Sequence, residues 1–400
     1  MLFAGFVLLY SIVAGGVERT WISGPIVFTV LGFLVGPDAL DLLSLDAERE
    51  SLKSLAELAL ALILFTDAAG VDLKVVRKKP GLPVRLLLVG LPLTIGLGFG
   101  VAWSLNVQFA IFEIALVAVM LAPTDAALGK AVVSNEVVPE PIRDGLNLES
   151  GLNDGICVPI LLVFLALAQG VEIEGETWSF VLRLVAEEIG IGLVVGLVLT
   201  WIATRIVGIA VARRWLTPSW IQVPVVALAF LCFAAAQFLG GSGFIATFTG
   251  GLLFGSLEKA KLQTFLRAAE GTGDTFALVA WIIFGSAVIS QAIDAFTWKI
   301  GLYSVASLTL IRMLPVFLSL TGSGFTTRDK LFIGWFGPRG LASVVFVIMI
   351  LDADLPHGDS IAVAVVVTVI LSILAHGVTA NPLAANYASS GDGGERKSRQ

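Results

Sequence analysis

Apolar residues fill this chain in long runs, one after another, with short polar connections between them. A helix needs about 20 mostly apolar residues to cross the hydrocarbon core of a bilayer. Against that length, thirteen intervals qualify as whole or interrupted spans: 1–16, 21–36, 54–69, 81–104, 108–130, 144–169, 182–210, 217–239, 242–257, 273–291, 297–320, 331–351 and 359–385. Hydrophobic residues make up 57% of the chain and charged residues 14%, against about 25% charged in a soluble domain. A water-soluble globule is excluded. Nucleic-acid binding is excluded too, because 25 Lys and Arg face 31 Asp and Glu with no basic stripe. Cys157 and Cys232 lie inside apolar runs and frame neither a disulfide scaffold nor a zinc site. His357 and His376 are too few for an imidazole metal centre. The first run, without a basic leader or a small-residue cleavage site, reads as a retained helix. The fold class is therefore an all-α polytopic membrane protein.

The basic residues give an orientation. Cytoplasmic connections are enriched in Lys and Arg. The odd-numbered connections and the C-terminal tail hold nineteen of them, including Lys74, Arg77, Lys78, Lys79, Arg213, Arg214, Arg328 and Lys330, whereas the even-numbered connections hold only Arg49, Lys53 and Lys299. Arg183, Arg312 and Arg339 fall inside spans. A miscounted helix would scramble this alternation downstream, so thirteen spans predict an N-terminus outside and a cytoplasmic C-terminus. The acidic connection 38–50 and the group Glu172, Glu174 and Glu176 read as solvated faces outside the cell, and the polar tail 387–400 as disordered.

Ionisable residues inside a span are expensive, and each is a functional hypothesis. Three groups stand out. In Ala122-Pro123-Thr124-Asp125, late in the fifth span, Pro123 removes a backbone donor and breaks the helix. Thr124 and Asp125 could cap the second half, or Asp125 could cap a short cytoplasmic helix containing Lys130. In the sixth span, the apolar run from Gly155 to Gly170 covers only about 24 Å at 1.5 Å per residue. The helix must extend upstream to cross, carrying Glu149, Ser150, Asn153 and Asp154 into the membrane; an amphipathic lead-in to a tilted span is the alternative. Asn147, Ser150 and Asp154 then share one helical face, and Glu149 and Asn153 the next. The third group is Phe336-Gly337-Pro338-Arg339-Gly340 in the twelfth span. Its buried guanidinium calls for a carboxylate, and Glu149 is the expected partner unless Arg339 snorkels to the interface. Arg312, deep in the eleventh span, is expected to have a structural partner.

The two Pro-broken spans lie seven apart and so cross the membrane in opposite directions. That is the pattern of an inverted repeat, and paired broken helices point to a transporter's binding site near mid-membrane. Asp67, Glu113, Asp274, Asp294 and His376 read as single polar groups, satisfied locally or near the surface.

The strings LGFLVGP (31–37), LILFTDAAGVDL (62–73), LAPTDAALGKAVV (121–133), RDGLNLESGLNDGICVPI (143–160), TLIRMLPVF (309–317) and GWFGPRGLASVV (334–345) resemble the monovalent cation/proton antiporters of the first subfamily, the prokaryotic sodium/proton exchangers and their animal relatives. The resemblance covers essentially the whole chain. It implies that Asp154 carries cation and proton in turn, with Asp125, Ser150 and the Thr124 carbonyl completing an oxygen shell for a monovalent alkali cation. Asn153, Glu149 and Arg339 would form a supporting network; Asn147, by its helical face, and Arg312, by its depth in the eleventh span, are further candidates that the residues alone suggest. The resemblance further implies a homodimer in a prokaryotic plasma membrane, with a dimerisation scaffold (1–80 and 178–295) and a transport core (81–177 and 296–386). Asn153 stands where the electrogenic sister subfamily has a second aspartate, which suggests one proton per cation. The short tail argues against tail-based regulation.

The chemistry of the residues agrees with that implication. Oxygen ligands suit a hard cation, Na⁺ first and Li⁺ or K⁺ as alternatives. Burial disfavours an uncompensated charge on Asp154, and either a proton or a cation removes it, so the two compete. No cofactor is called for, since the ions are cargo. Two rivals are a cation channel and an intramembrane aspartyl protease, the latter resting on Gly271-Thr272-Gly273-Asp274 alone.

Overall fold

The computed structural model describes residues 2–17, 20, 22, 24–37, 39–42, 49–71, 81–105, 109–125, 128, 130–133, 135, 137–169, 177–217, 219–221, 223–258, 262–288 and 296–397. Residues 38 and 43–48 of the acidic connection, Glu172, Glu174 and Glu176, the whole basic connection 72–80, and Asp294 lie outside the described residues. No strand forms among those described.

The helices in order are α1 (Leu2–Val17), α2 (Gly24–Val35), α3 (Arg49–Gly70), α4 (Gly81–Ser104), α5 (Ile111–Met120), α6 (Lys130–Val133), α7 (Glu140–Ala168), α8 (Thr177–Ala212), α9 (Val223–Phe238), α10 (Gly243–Leu257), α11 (Leu262–Ile283), α12 (Trp298–Ser319), α13 (Thr327–Trp335), α14 (Leu341–Asp352) and α15 (Gly358–Lys397). Each expected interval holds a helix or two half-helices. Five stretches are long and apolar enough to cross a membrane unaided: α4, α7, α12, Val185–Ala212 of α8 and Gly358–Tyr387 of α15.

Local chemistry explains several helix starts. Thr326 and Asp329 form a reciprocal capping box at α13, with the Asp329 N–H donating to Thr326 Oγ1 at 3.2 Å and the Thr326 N–H to Asp329 Oδ2 at 2.8 Å. Thr297 caps α12 through the Ile300 N–H, and Pro141 sits in the first turn of α7, where its missing donor costs nothing. The polar tail departs from expectation: α15 stays helical through Lys397. Gly and Ser content argued for disorder there, but extending an existing helix needs no new nucleus.

Two stretches of the chain run long helix, broken helix, long helix: α4, α5/α6, α7, then α12, α13/α14, α15. One apolar core includes Phe28 of α2, Leu60 of α3, Leu116 of α5, Leu161 of α7, Phe346 of α14 and Val366 of α15. A second joins Phe65 of α3 to Ala229, Phe254 and Phe265 of α9, α10 and α11. The outer face of α8 leaves Val194, Val198, Trp201 and Ile206 exposed, as a lipid-facing or subunit-facing surface would.

Candidate functional site

Polar residues meet where the two broken helices cross. α5 ends at Met120 and α13 at Trp335, and the extended segments beyond them run against each other. The Asp125 N–H donates to the Pro338 carbonyl at 2.8 Å. Asp125 Oδ2 accepts the Leu341 N–H at 3.0 Å, and Oδ1 accepts the Leu128 N–H at 3.2 Å. One carboxylate thus caps the start of α14 as well as its own local turn, using the free amides that a helix N-terminus offers. The approach is close enough to require glycine: a Cβ on Gly340 would fall on the Asp125 carboxylate.

α7 brings the third wall. Its continuous helix begins at Glu140, so Glu149, Ser150, Asn153 and Asp154 are all helical and all buried. The Ser150 hydroxyl donates to the Thr124 carbonyl at 2.5 Å, and Asn153 Nδ2 donates to Thr124 Oγ1 at 2.8 Å. The freed backbone of the first break is thereby tied to α7. Asn153 Nδ2 is committed to Thr124, whereas its Oδ1 makes no hydrogen bond among the described residues. Asp154 is 8% exposed, and its Oδ1 makes no hydrogen bond among the described residues. A buried carboxylate oxygen left open is costly unless something else occupies it.

The arginines differ from expectation. Arg339 does not pair with Glu149, nor does it snorkel: it is fully buried, and its Nη1 donates to the carbonyls of Ala122 and Pro123 at 2.8 and 2.9 Å. Glu149 instead holds Arg312 of α12 in a two-pronged ion pair at 2.6 and 2.8 Å, both residues 2% exposed. The physical reason is that a helix break supplies unpaired carbonyls, which take both bonds of Nη1, while Nε and Nη2 make no hydrogen bond among the described residues. Arg312 also passes so close beneath the second break that a Cβ on Gly337 would meet its Nε.

A cavity of about 1050 Å³ opens onto this crossing, and Asp154, Asp125, Ser150 and Asn147 line it. Thr124 stays behind Ser150, off this wall. Asp67 of α3 and Asp274 of α11 also line the cavity, although their sequence positions suggested helix ends near the surface. The missed signal is that Asp67 lies between buried neighbours Phe65 and Ala68, and that its backbone packs against Gly151 of α7. The Gly271–Asp274 string sits within the unbroken helix α11.

Comparison with known proteins places this arrangement. The chain spans 88% of itself and 61% of a K(+)/H(+) antiporter NhaP2 of Shewanella sp. (strain ANA-3), with 25% identity over 358 residues. It is 25% identical over 390 residues to a K(+)/H(+) antiporter NhaP of Alkalimonas amylolytica, covering 96% of this chain and 66% of that protein. It is 25% identical over 265 residues to a Na(+)/H(+) antiporter of Schizosaccharomyces pombe, covering 61% of this chain and 55% of that protein. The chain thus spans about three fifths of the length of the curated Shewanella relatives it matches. The fold is shared with the sodium proton antiporter MjNhaP1 from Methanocaldococcus jannaschii, with a TM-score of 0.75, 20% identity, and coverage of 94% of this chain and 99% of that one. The profile described as "Sodium/hydrogen exchanger, transmembrane" matches residues 5–386, taking in both breaks and α7 between them. The crossed helices and their buried aspartate are thus those of an integral membrane protein that belongs to the sodium/hydrogen exchanger family.

Proposed function

We propose that this chain is a secondary-active antiporter exchanging one monovalent alkali cation, Na⁺ foremost with Li⁺ or K⁺ as alternatives, for one proton. The observation that carries the reading is the open, buried Oδ1 of Asp154 at the end of a cavity also lined by Asp125 and Ser150. A dehydrated cation needs several hard oxygens together, and a lone proton needs one. Cation and proton therefore neutralise the same carboxylate in turn. The Thr124 carbonyl would join the shell by exchanging its hydrogen bond from Ser150 for the ion. The neutral Asn153 beside Asp154 supports exchange without net charge movement. The names of the antiporter relatives support both Na⁺ and K⁺ as cargo.

Thirteen spans with the N-terminus outside fit the charge alternation. On that orientation the cavity opens inward, because Val71, Gly81, Glu140 and Phe325 at its walls flank the basic connections. The outer half is filled by fully buried side chains of α5, α14 and α15, among them Leu116, Val345, Phe346 and Ile361. Transport would carry the core (α4–α7 and α12–α15) past a scaffold (α1–α3 and α8–α11), with two copies joined through their scaffolds in a prokaryotic plasma membrane.

The test is purified protein in liposomes holding a pH dye, pulsed separately with Na⁺, Li⁺ and K⁺ while the membrane potential is clamped. Proton movement driven by a cation, undiminished by the clamp, is the expected result. A steady current without a pH change would indicate a channel and refute exchange.

A further inference from the structure

α15 turns a polar strip toward the break between α13 and α14. Ser372, His376 and Thr379 stand at helical spacings of four and three residues, so all three share a face. Each meets the broken segment. Ser372 Oγ accepts the Arg339 N–H at 2.7 Å, and Thr379 Oγ1 accepts the Trp335 Nε1–H at 2.9 Å. His376 Nε2 lies 2.8 Å from the Trp335 carbonyl at the end of α13, which also accepts the Gly337 N–H at 2.8 Å. Nδ1 lies 2.8 Å from the carbonyl of Ser372, one turn back on α15, and 3.2 Å from Ser372 Oγ, so each ring nitrogen faces a carbonyl acceptor and the ring bridges Ser372 to Trp335. Ser372 is fully buried, His376 is 2% exposed, and none of the three residues lines the cavity.

We infer that this strip is the positioning element of the cation site, with His376 its central member. The inference rests on the exchange reading above. The segment that α15 grips carries the contacts that fix Asp125: the Pro338 carbonyl takes its N–H, the Leu341 N–H holds its Oδ2, and Arg339 binds the carbonyls just before it. His376 ties one end of the segment and, through Ser372, the other. Without it, the Trp335 carbonyl keeps only the Gly337 N–H, Ser372 loses the ring that packs beside its hydroxyl, and the segment that aims Asp125 is held less firmly to α15. Displacements of about an ångström in such a site cost up to about a hundredfold in function.

The experiment compares the parent with His376→Phe and His376→Gln in the same liposomes, alongside hydrogen exchange of peptides covering 336–341. Glutamine offers an N–H and an acceptor in nearly the ring's places, whereas phenylalanine keeps only the shape. The expected result for His376→Phe is a half-saturating cation concentration raised roughly tenfold or more, a maximal rate within about twofold of the parent, and faster amide exchange at 336–341. His376→Gln should restore all three. Unchanged half-saturation and unchanged amide exchange in a folded His376→Phe protein would overturn the inference, as would equal damage in both variants. A parent that moves no protons overturns the exchange reading and the inference with it; a working parent beside an indifferent His376→Phe overturns the inference alone.

Discussion

Asp154→Asn should reduce cation-driven proton movement to the background of protein-free vesicles while leaving the protein folded. The substitution is nearly isosteric, and Asp154 Oδ1 makes no hydrogen bond among the described residues that the change would break. What disappears is the charge that a cation and a proton take turns in neutralising. An amide binds neither tightly: it gains no proton near neutral pH, and it gives a dehydrated alkali ion one weak oxygen with no compensating charge. Asp125 should not substitute for it, because both its oxygens already hold backbone amides at the helix crossing. The check is the liposome assay with melting measured in parallel. Parent-like transport by Asp154→Asn would show that the exchanged ions use another group.

Arg312→Ala is expected to be the most destabilising single change near the site, by about 3–5 kcal/mol, because it strands the buried Glu149 carboxylate without its partner. Glu149→Leu with Arg312→Met should recover most of that loss, since replacing both members of a buried pair by apolar residues of similar size is often neutral. Thermal unfolding in detergent distinguishes the outcomes. A melting temperature for Arg312→Ala within a degree of the parent would mean that the pair contributes nothing. A double variant as unstable as the single one would mean that Arg312 acts through packing beneath Gly337 and not through charge.

Much of the architecture was legible because bilayer thickness and helix rise leave few choices for long apolar runs. Pro123 and the Gly337-Pro338 pair marked the breaks for the same reason that they cause them: a missing donor and a backbone that cannot stay helical there. The length of the run after Gly155 was enough to draw Asp154 and Ser150 into the membrane as helix. Pairing was less legible. Arg339 was assigned a carboxylate because side chains are visible in a sequence and freed carbonyls are not, yet Ala122 and Pro123 supply the acceptors. Arg312 and Glu149 lie 163 positions apart, and only the packing of α12 against the second break sets their meeting. Asp67 looked like a helix end because it precedes a basic connection; what turns it inward is the contact of α3 with α7 at Gly151. His376 had no neighbour in the sequence to suggest a role, since its partners belong to a different helix and to its own preceding turn.

Titration calorimetry of Na⁺ and Li⁺ binding across a pH series, in two buffers of different ionisation heat, tests most directly whether one buried acid serves both ions. The account predicts that cation affinity falls about tenfold per unit of acidification once the proton occupies the site, and that each bound cation then releases close to one proton. Affinity that does not change with pH, with no proton released at any point in the series, would contradict it.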